Sequence, residues 1–330
     1  MGYECFMLYA NTGLGPRTPL DLAPHARPEP PVWLDLVEGN DAERSLAERL
    51  TGLRVPSLAD LSEIESSSRL SNDKGVLYLS APMHYLDAEG VSKTTPLGFV
   101  LSDKYLMTVR FAAAPVFDGF ATRFADRYEP TGSVSAFLGL LEAIVDRLAD
   151  VLEHIGTELE TISRQVFKPE TKGDLPTKTD QQLRATLRTI GRAGERLSNL
   201  RDSLVGIQRM VLYAGETASA WIPADQKPRL TTLRRDVTSL SDYDSQMSNN
   251  VQFLLDATLG FINIEQNNGI KVLTVVSVVG VPPTLVASIY GMNFKWIPEL
   301  QWEYGYFYGL AVIVASAVVP LVWFKKRGWI

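Results

Sequence analysis

Along residues 1–130, short apolar runs alternate with stretches of helical spacing. Val32-Trp33-Leu34-Asp35-Leu36-Val37 and the runs 75–80, 97–101 and 105–110 have the length and the β-branched or aromatic content of strands. Residues 41–53 and 57–66 read as helices between them, and Ser102-Asp103-Lys104 reads as the turn of a hairpin joining the last two strands. An α/β domain is expected. After Pro130-Thr131-Gly132 the pattern becomes Leu-rich and helical, interrupted only where Pro and Gly cluster. It predicts one helix over 133–167, ending at Lys168-Pro169, and a second over 177–214, between Pro176 and Gly215. A third begins after Pro223 and Pro228. No proline follows Arg229 until Pro282, so this helix can extend for roughly 60 residues, about 90 Å at 1.5 Å per residue.

Two uncharged stretches close the chain, 272–290 and 304–324, each about long enough to cross a hydrocarbon core. Only about a dozen residues connect them, opening with Tyr290-Gly291-Met292-Asn293, so a tight membrane hairpin is expected. Within the first stretch Thr274, Ser277, Thr284 and Ser288 fall within about 80° of one another at about 100° per residue. Asn267 and Gly291 extend that face, and Leu273 and Val281 share it. A polar stripe gains nothing from facing lipid, which leaves two readings: helix packing, with the hydroxyls bonded back to their own backbone, or the wall of a water-filled path. A single hairpin cannot enclose such a path, so a pore requires several copies of the chain around an axis. Pro282-Pro283 is expected to kink the helix and disturb the phase beyond it.

Composition adds exclusions. Over 330 residues with 45% hydrophobic content, an apolar tail is diluted by a polar bulk. A net charge of −6 gives no nucleic-acid footprint. The start, Met1 to Phe6, lacks the features of a signal peptide, so the large domain is expected in the cytosol. Lys271 before the first span and Lys325-Lys326-Arg327 after the second agree, placing both termini inside. Cys5 is the only cysteine, which leaves no intrachain disulfide and no thiolate-rich zinc site. His25, His84 and His154 show no ligand spacing and read as surface or half-buried residues. Charges such as Glu153, Glu158, Glu160 and Arg164 have the spacing of a solvated helix face. No phosphate-binding Gly-rich loop and no nucleophile–base pair at recognisable spacing occurs, so neither ATP-driven pumping, an organic cofactor nor an enzyme is expected.

Four segments carry a resemblance: 260–267 (Gly-Phe-Ile-Asn-Ile-Glu-Gln-Asn), 282–288 (Pro-Pro-Thr-Leu-Val-Ala-Ser), 290–294 (Tyr-Gly-Met-Asn-Phe) and Pro298-Glu299-Leu300 followed by Trp302. In order and spacing they resemble the enterobacterial-type branch of the CorA family of divalent-cation channels, and the ending at 325–330 resembles its basic, Trp-containing tail. The resemblance implies a funnel-shaped homopentamer in a bacterial inner membrane that passes Mg²⁺, with Co²⁺ and Ni²⁺ as further cargo. Gly291, Met292 and Asn293 would form the selectivity filter at the periplasmic mouth. Mg²⁺ gives up its water reluctantly, so a ring of neutral amide and carbonyl oxygens can hold the hydrated ion through its waters. Thr284 and Asn267 match pore-lining positions, beside Ser277 and Ser288 of the stripe, and Ile270, Leu273 and Val281 match apolar constrictions. Met292 packing the turn and Asn293 capping the helix remain the plainer alternatives. Lys295 departs from the family, which often has an acid there; Glu299 and Glu303 remain as attractive loop charges. Gating by intracellular Mg²⁺ would use Asp87 and a stalk acid, Asp236, Asp242 or Asp244, with the acidic run 60–65 as another candidate.

The expected whole is an α+β membrane protein: an α/β domain over 1–130, long antiparallel helices over 131–228, a stalk helix over 229–270 and a pore helix over 271–291. A periplasmic loop over 292–303, a second span over 304–324 and a basic tail over 325–330 complete it. The alternatives are a zinc transporter of the same superfamily and a coiled-coil scaffold for which the hairpin is only an anchor.

Overall fold

The computed structural model describes residues 8–11, 18–19, 31–63, 65, 69–86, 89–125, 132–167, 180–293 and 297–329. Cys5, His25, Asp87 and Lys295 lie outside the described residues.

The N-terminal part is built on a seven-stranded sheet of order β2-β1-β3-β7-β6-β5-β4. The strands are β1 (Leu8–Asn11), β2 (Thr18–Pro19), β3 (Trp33–Val37), β4 (Leu70–Asp73), β5 (Val76–Leu86), β6 (Ser92–Leu101) and β7 (Leu106–Arg110). Only β3 and β7 pair in parallel; β4 to β7 form an antiparallel meander, and β1 joins β3 antiparallel. Every residue of β3 and of β7 is buried, so apolar side chains occupy both faces of each strand instead of alternating with exposed polar ones. The hairpin between β6 and β7 closes as its sequence predicts, with Ser102 N–H donating to the Tyr105 carbonyl and Tyr105 N–H to Ser102 Oγ, both at 2.9 Å.

At the sheet centre sits a buried charge. Asp35 is opposite Thr108 across the parallel pair, and Thr108 Oγ1 donates to Asp35 Oδ1 at 2.7 Å. Arg110 Nη2 donates to Asp35 Oδ2 at 3.1 Å, and Trp33 Nε1 donates to Thr108 Oγ1 at 3.0 Å. The carboxylate is fully buried, so losing the guanidinium would strand it, a change that typically costs about 3–5 kcal/mol.

Sequence periodicity stopped β5 and β6 short, at 80 and at 97, because Pro82 and Pro96 stand beyond. In the sheet these prolines face each other at one rung, confining the missing donors to one place. Helices α1 (Asp41–Thr51) and α2 (Leu58–Ser62) follow capping boxes at Asn40 and Ser57. The backbone N–H of Ser57, then its hydroxyl, hold the Asp60 carboxyl below its usual range. The expected helix over 57–66 is thus one short turn whose acid caps it. Helix α3 (Pro115–Ala125) and strand β4 were not foreseen.

Long helices follow: α4 (Ser133–Val166), α5 (Asp180–Thr217), α6 (Lys227–Tyr290) and, after a 3-10 turn at Pro298–Gln301, α7 (Gly305–Lys326). The chain divides into two compact units, Met1–Pro169 with Arg188–Leu254, and Glu170–Leu187 with Leu255–Ile330. In the first unit α6 buries Leu233, Val237, Asp244, Met247, Val251 and Leu254, and with the half-buried Leu240 they form an alternation of four- and three-residue steps that marks a coiled-coil-type seam. Arg229 clamps Glu142 of α4 with both Nε (2.9 Å) and Nη2 (2.6 Å). Helix α5 approaches β5 at Gly206, where a Cβ would come within 2.6 Å of Ala81 Cβ.

His84 is buried, deeper than the sequence suggests. Its backbone N–H donates to Ser203 Oγ of α5 at 2.9 Å, and its Nε2 lies 3.0 Å from Ser92 Oγ, which accepts from Asn199 Nδ2 at 2.9 Å. Which of the two donates in the His84–Ser92 bond is set by the imidazole tautomer. Burial first, then Arg196 and Arg147 nearby, lower the His84 pKa from 6.5 to about 4. The unfolded chain therefore binds the extra proton throughout that window, so stability rises with pH between about 4 and 6.5 and is lost on acidification. Thermal melts of the detergent-solubilised chain should show this slope, and His84→Gln should flatten it; an unchanged slope in the variant would refute it. Asp244, whose carboxyl is raised by burial, acts in the opposite sense, and the single-residue comparison separates the two.

Candidate functional site

Two helices, α6 and α7, are long and apolar enough to cross a membrane. The most apolar window of α6 buries none of its residues within the chain, leaving Ile270, Leu273 and Val281 each more than 60% exposed. So much apolar surface requires lipid or further copies of the chain to cover it.

On this helix the hydroxyl stripe is real and its hydrogen bonds are uniform. Thr274 Oγ1 donates to the Ile270 carbonyl at 2.8 Å, Ser277 Oγ to Leu273 at 2.8 Å, Thr284 Oγ1 to Gly280 at 2.9 Å and Ser288 Oγ to Thr284 at 2.8 Å. Each bond reaches back four residues, the usual geometry for Ser and Thr in a helix. A hydroxyl has one proton and two lone pairs. With every proton committed to a carbonyl, the stripe presents acceptors. Ser277, Thr284 and Ser288 are exposed and Thr274 is half-buried. The plainer reading and the water-path reading thus coexist: the back-bonds are present, and they leave oxygen lone pairs facing outward.

Helix α6 runs continuously through Pro282 and Pro283. Back-bonded hydroxyls occur on both sides of the prolines, at Ser277 and at Ser288. Asn267, in the sector of the stripe, is exposed. Asp256, which the sequence reading passed over, is also exposed and falls in this sector at about 100° per residue.

The helix ends where the Gly-Met-Asn sequence begins. Gly291 N–H donates to the Ala287 carbonyl at 2.9 Å and Met292 N–H to Ile289 at 3.2 Å. A Cβ on Gly291 would sit 3.2 Å from the Ala287 oxygen, so any larger residue crowds this last turn. Gly291, Met292 and Asn293 are all exposed, and among the described residues no hydrogen bond engages the Asn293 side chain. Met292 lines a cavity of about 400 Å³ with Val286, Ile289, Tyr290, Ile297, Glu299 and Val312, which keeps its packing role in place. Glu299 is half-buried there, whereas Glu303 is exposed. Gly305 begins α7 directly beneath the Glu299 carbonyl, where a side chain would overlap it.

For the regulatory pair, Asp236 and Asp242 are exposed on α6. Asp244 is buried, and its Oδ2 accepts from Arg201 Nε at 2.8 Å, while Arg201 Nη2 donates to Ser248 Oγ at 3.0 Å. Oδ2 of Asp244 is thus committed within one chain, while its buried Oδ1 has no hydrogen-bond partner among the described residues. Among the described residues no group of three or more His, Cys, Asp or Glu side chains is arranged to hold a metal ion.

A family model described as CorA-like Mg²⁺ transporter protein matches residues 29–326. The chain belongs to the CorA family. Its relatives include the magnesium transport protein CorA of Yersinia pestis, 32% identical over 300 residues that cover 91% of this chain and 92% of that one. The protein of the same name from Salmonella typhimurium is 33% identical over the same span, with the same coverage. Among solved structures, the complete CorA magnesium transporter of Methanocaldococcus jannaschii superposes with a TM-score of 0.76 at 19% identity, covering 98% of each chain. That likeness extends the CorA fold through the sheet, the long helices and both apolar C-terminal helices.

Proposed function

We propose that this CorA-family chain carries Mg²⁺ across a membrane as a passive channel, driven by the membrane potential. The observation that carries the reading is the acceptor stripe on α6: four hydroxyls whose protons are held by their own backbone, on a helix that the single chain leaves uncovered. The waters around a hydrated Mg²⁺ point their protons outward, so such a surface matches the ion's shell without stripping it. Several copies around one axis would turn the stripe into stacked rings, with Ile270, Leu273 and Val281 as apolar rings that close by dewetting. Five copies, an inner-membrane location with both termini cytoplasmic, and Co²⁺ and Ni²⁺ as further cargo belong to the same proposal. The family supports transport rather than catalysis, since the relatives are transport proteins.

In this reading Asn293 offers its uncommitted amide, and Gly291 a backbone carbonyl, to the waters of the arriving ion. The exposed Glu303 attracts the ion to the mouth, and Lys295 makes that attraction shallower. Intracellular Mg²⁺ bridging Asp87 and Asp236 of neighbouring copies would close the channel. In this proposal 271–291 is the pore helix and 292–303 the outer loop.

The test is Mg²⁺ flux into liposomes holding purified full-length protein. Asn293→Ala should abolish or severely reduce flux while leaving the oligomer intact on size-exclusion chromatography; normal flux would rule out the filter assignment. Thr284→Val keeps the side-chain shape but removes its lone pairs, and should lower flux on the order of fivefold, the weight of a net hydrogen bond of about 1 kcal/mol. Thr284→Ser, which retains the acceptor, should stay near the parent. Equal flux in the Val and Ser variants would show that the hydroxyl does not face the ion.

A further inference from the structure

Helix α7 ends in an ordered turn that leaves positive charge uncommitted. Gly328 takes a φ of 69°, and the chain folds back so that Trp329 N–H donates to the Phe324 carbonyl at 3.1 Å and Gly328 N–H to Lys325 at 3.2 Å. Arg327 N–H lies 3.1 Å from the carbonyls of both Trp323 and Phe324. These are C-terminal capping bonds of backbone to backbone, so the helix end requires no lysine to satisfy it. The rings then close over one another. Trp329 stacks on Phe324 with centroids 5.3 Å apart, Trp323 meets Phe324 at 5.1 Å, and the Arg327 guanidinium lies 5.1 Å above the Trp323 ring. Phe324 is only 3% exposed as a result, the one buried residue of α7.

Lys325 and Lys326, by contrast, are exposed and have no ion-pair partner among the described residues. No acid occurs in the sequence between Glu303 and the C-terminus. Helix α7 has 22 residues, about 33 Å at 1.5 Å per residue, close to the roughly 30 Å of a hydrocarbon core. Its basic end therefore sits at headgroup level, where tryptophan rings also settle. The other end carries Trp302, Tyr304, Tyr306 and Tyr308 with Glu299 and Glu303, and the sequence has no Lys or Arg from 297 to 324. Positive charge is therefore concentrated at the 325–327 end of α7, while the outer loop carries the single lysine Lys295 beside Glu299 and Glu303.

We infer that the turn at Trp323–Trp329 is a binding site for the phosphate of an anionic phospholipid, held by Lys325 and Lys326 beside an interfacial platform of Trp323, Phe324 and Trp329. The inference rests on the membrane reading above. A lipid headgroup, rather than a soluble phosphate, is the occupant because the end of a membrane helix holds the two lysines in the plane of lipid phosphates. Attraction of this kind accumulates with each basic residue near an anionic surface.

Full-length protein in phosphatidylcholine vesicles would be titrated with brominated phosphatidylglycerol or brominated phosphatidylcholine, and tryptophan quenching read as a relative association constant. The parent should prefer the anionic lipid by about threefold or more, over an unselective background from Trp302. The double variant Lys325→Gln, Lys326→Gln should lose the preference, and Lys325→Arg, Lys326→Arg should keep it, which separates lost charge from lost folding. Inorganic phosphate should leave the preference unchanged. Equal quenching by the two lipids in the parent, or a preference that survives in the Gln variant, would overturn the inference, and suppression by phosphate would overturn the lipid as occupant. Absence of quenching by either lipid would overturn the membrane reading and this inference together.

Discussion

Hydrocarbon offers no hydrogen bonds, and the form of residues 272–324 follows from that one constraint. Backbone groups must pair within the helix, which makes each crossing a single uninterrupted α-helix. The same rule disposes of side-chain protons. Thr274, Ser277, Thr284 and Ser288 each donate to a carbonyl one turn back, so what remains on their face is an array of acceptors rather than a mixture. A surface with only acceptors is unsuited to lipid and unsuited to anions. It matches a cation that arrives wrapped in water. In the proposed channel several copies would be needed for the same reason, since one hairpin cannot shield such a face.

Outside the bilayer a different physical economy holds. The seam of α6 tolerates Asp244 because Arg201 reaches it at 2.8 Å, and the sheet centre tolerates Asp35 because Arg110, Thr108 and Trp33 form a closed network around it. Buried polar groups of this kind specify which surfaces meet. Asp244 therefore serves packing within one chain, its Oδ2 held by Arg201.

Much of this was legible in the chain because period and length are direct consequences of geometry. The spans 272–290 and 304–324, the helix from 227 and the strands 33–37 and 106–110 all carry their own signal. The hydroxyl face was legible for the same reason, and the four segments between Gly260 and Trp302 together carried the family resemblance. Less visible were features that depend on partners distant in sequence. Pro82 and Pro96 concealed the length of β5 and β6 because each proline disqualifies a strand unless another faces it. His84 looked like a surface residue, since only Ser92, Asn199 and Ser203 together make its burial affordable. The seam on α6 did have a signal, the alternation of four- and three-residue steps from Leu233 to Leu254, masked by the aspartate at one of its positions.

The central claim is that one face of α6 borders water while the helix lies in a membrane. Single cysteines placed along 272–290 in a Cys5→Ser background, probed in reconstituted full-length protein with a membrane-impermeant cationic thiol reagent, test it most directly. Reactivity should recur at about 100° per residue, with positions 274, 277, 284 and 288 modified and positions 275, 279 and 286 protected. Reactivity on the opposite face, or protection of the whole segment in every state of the protein, would contradict it.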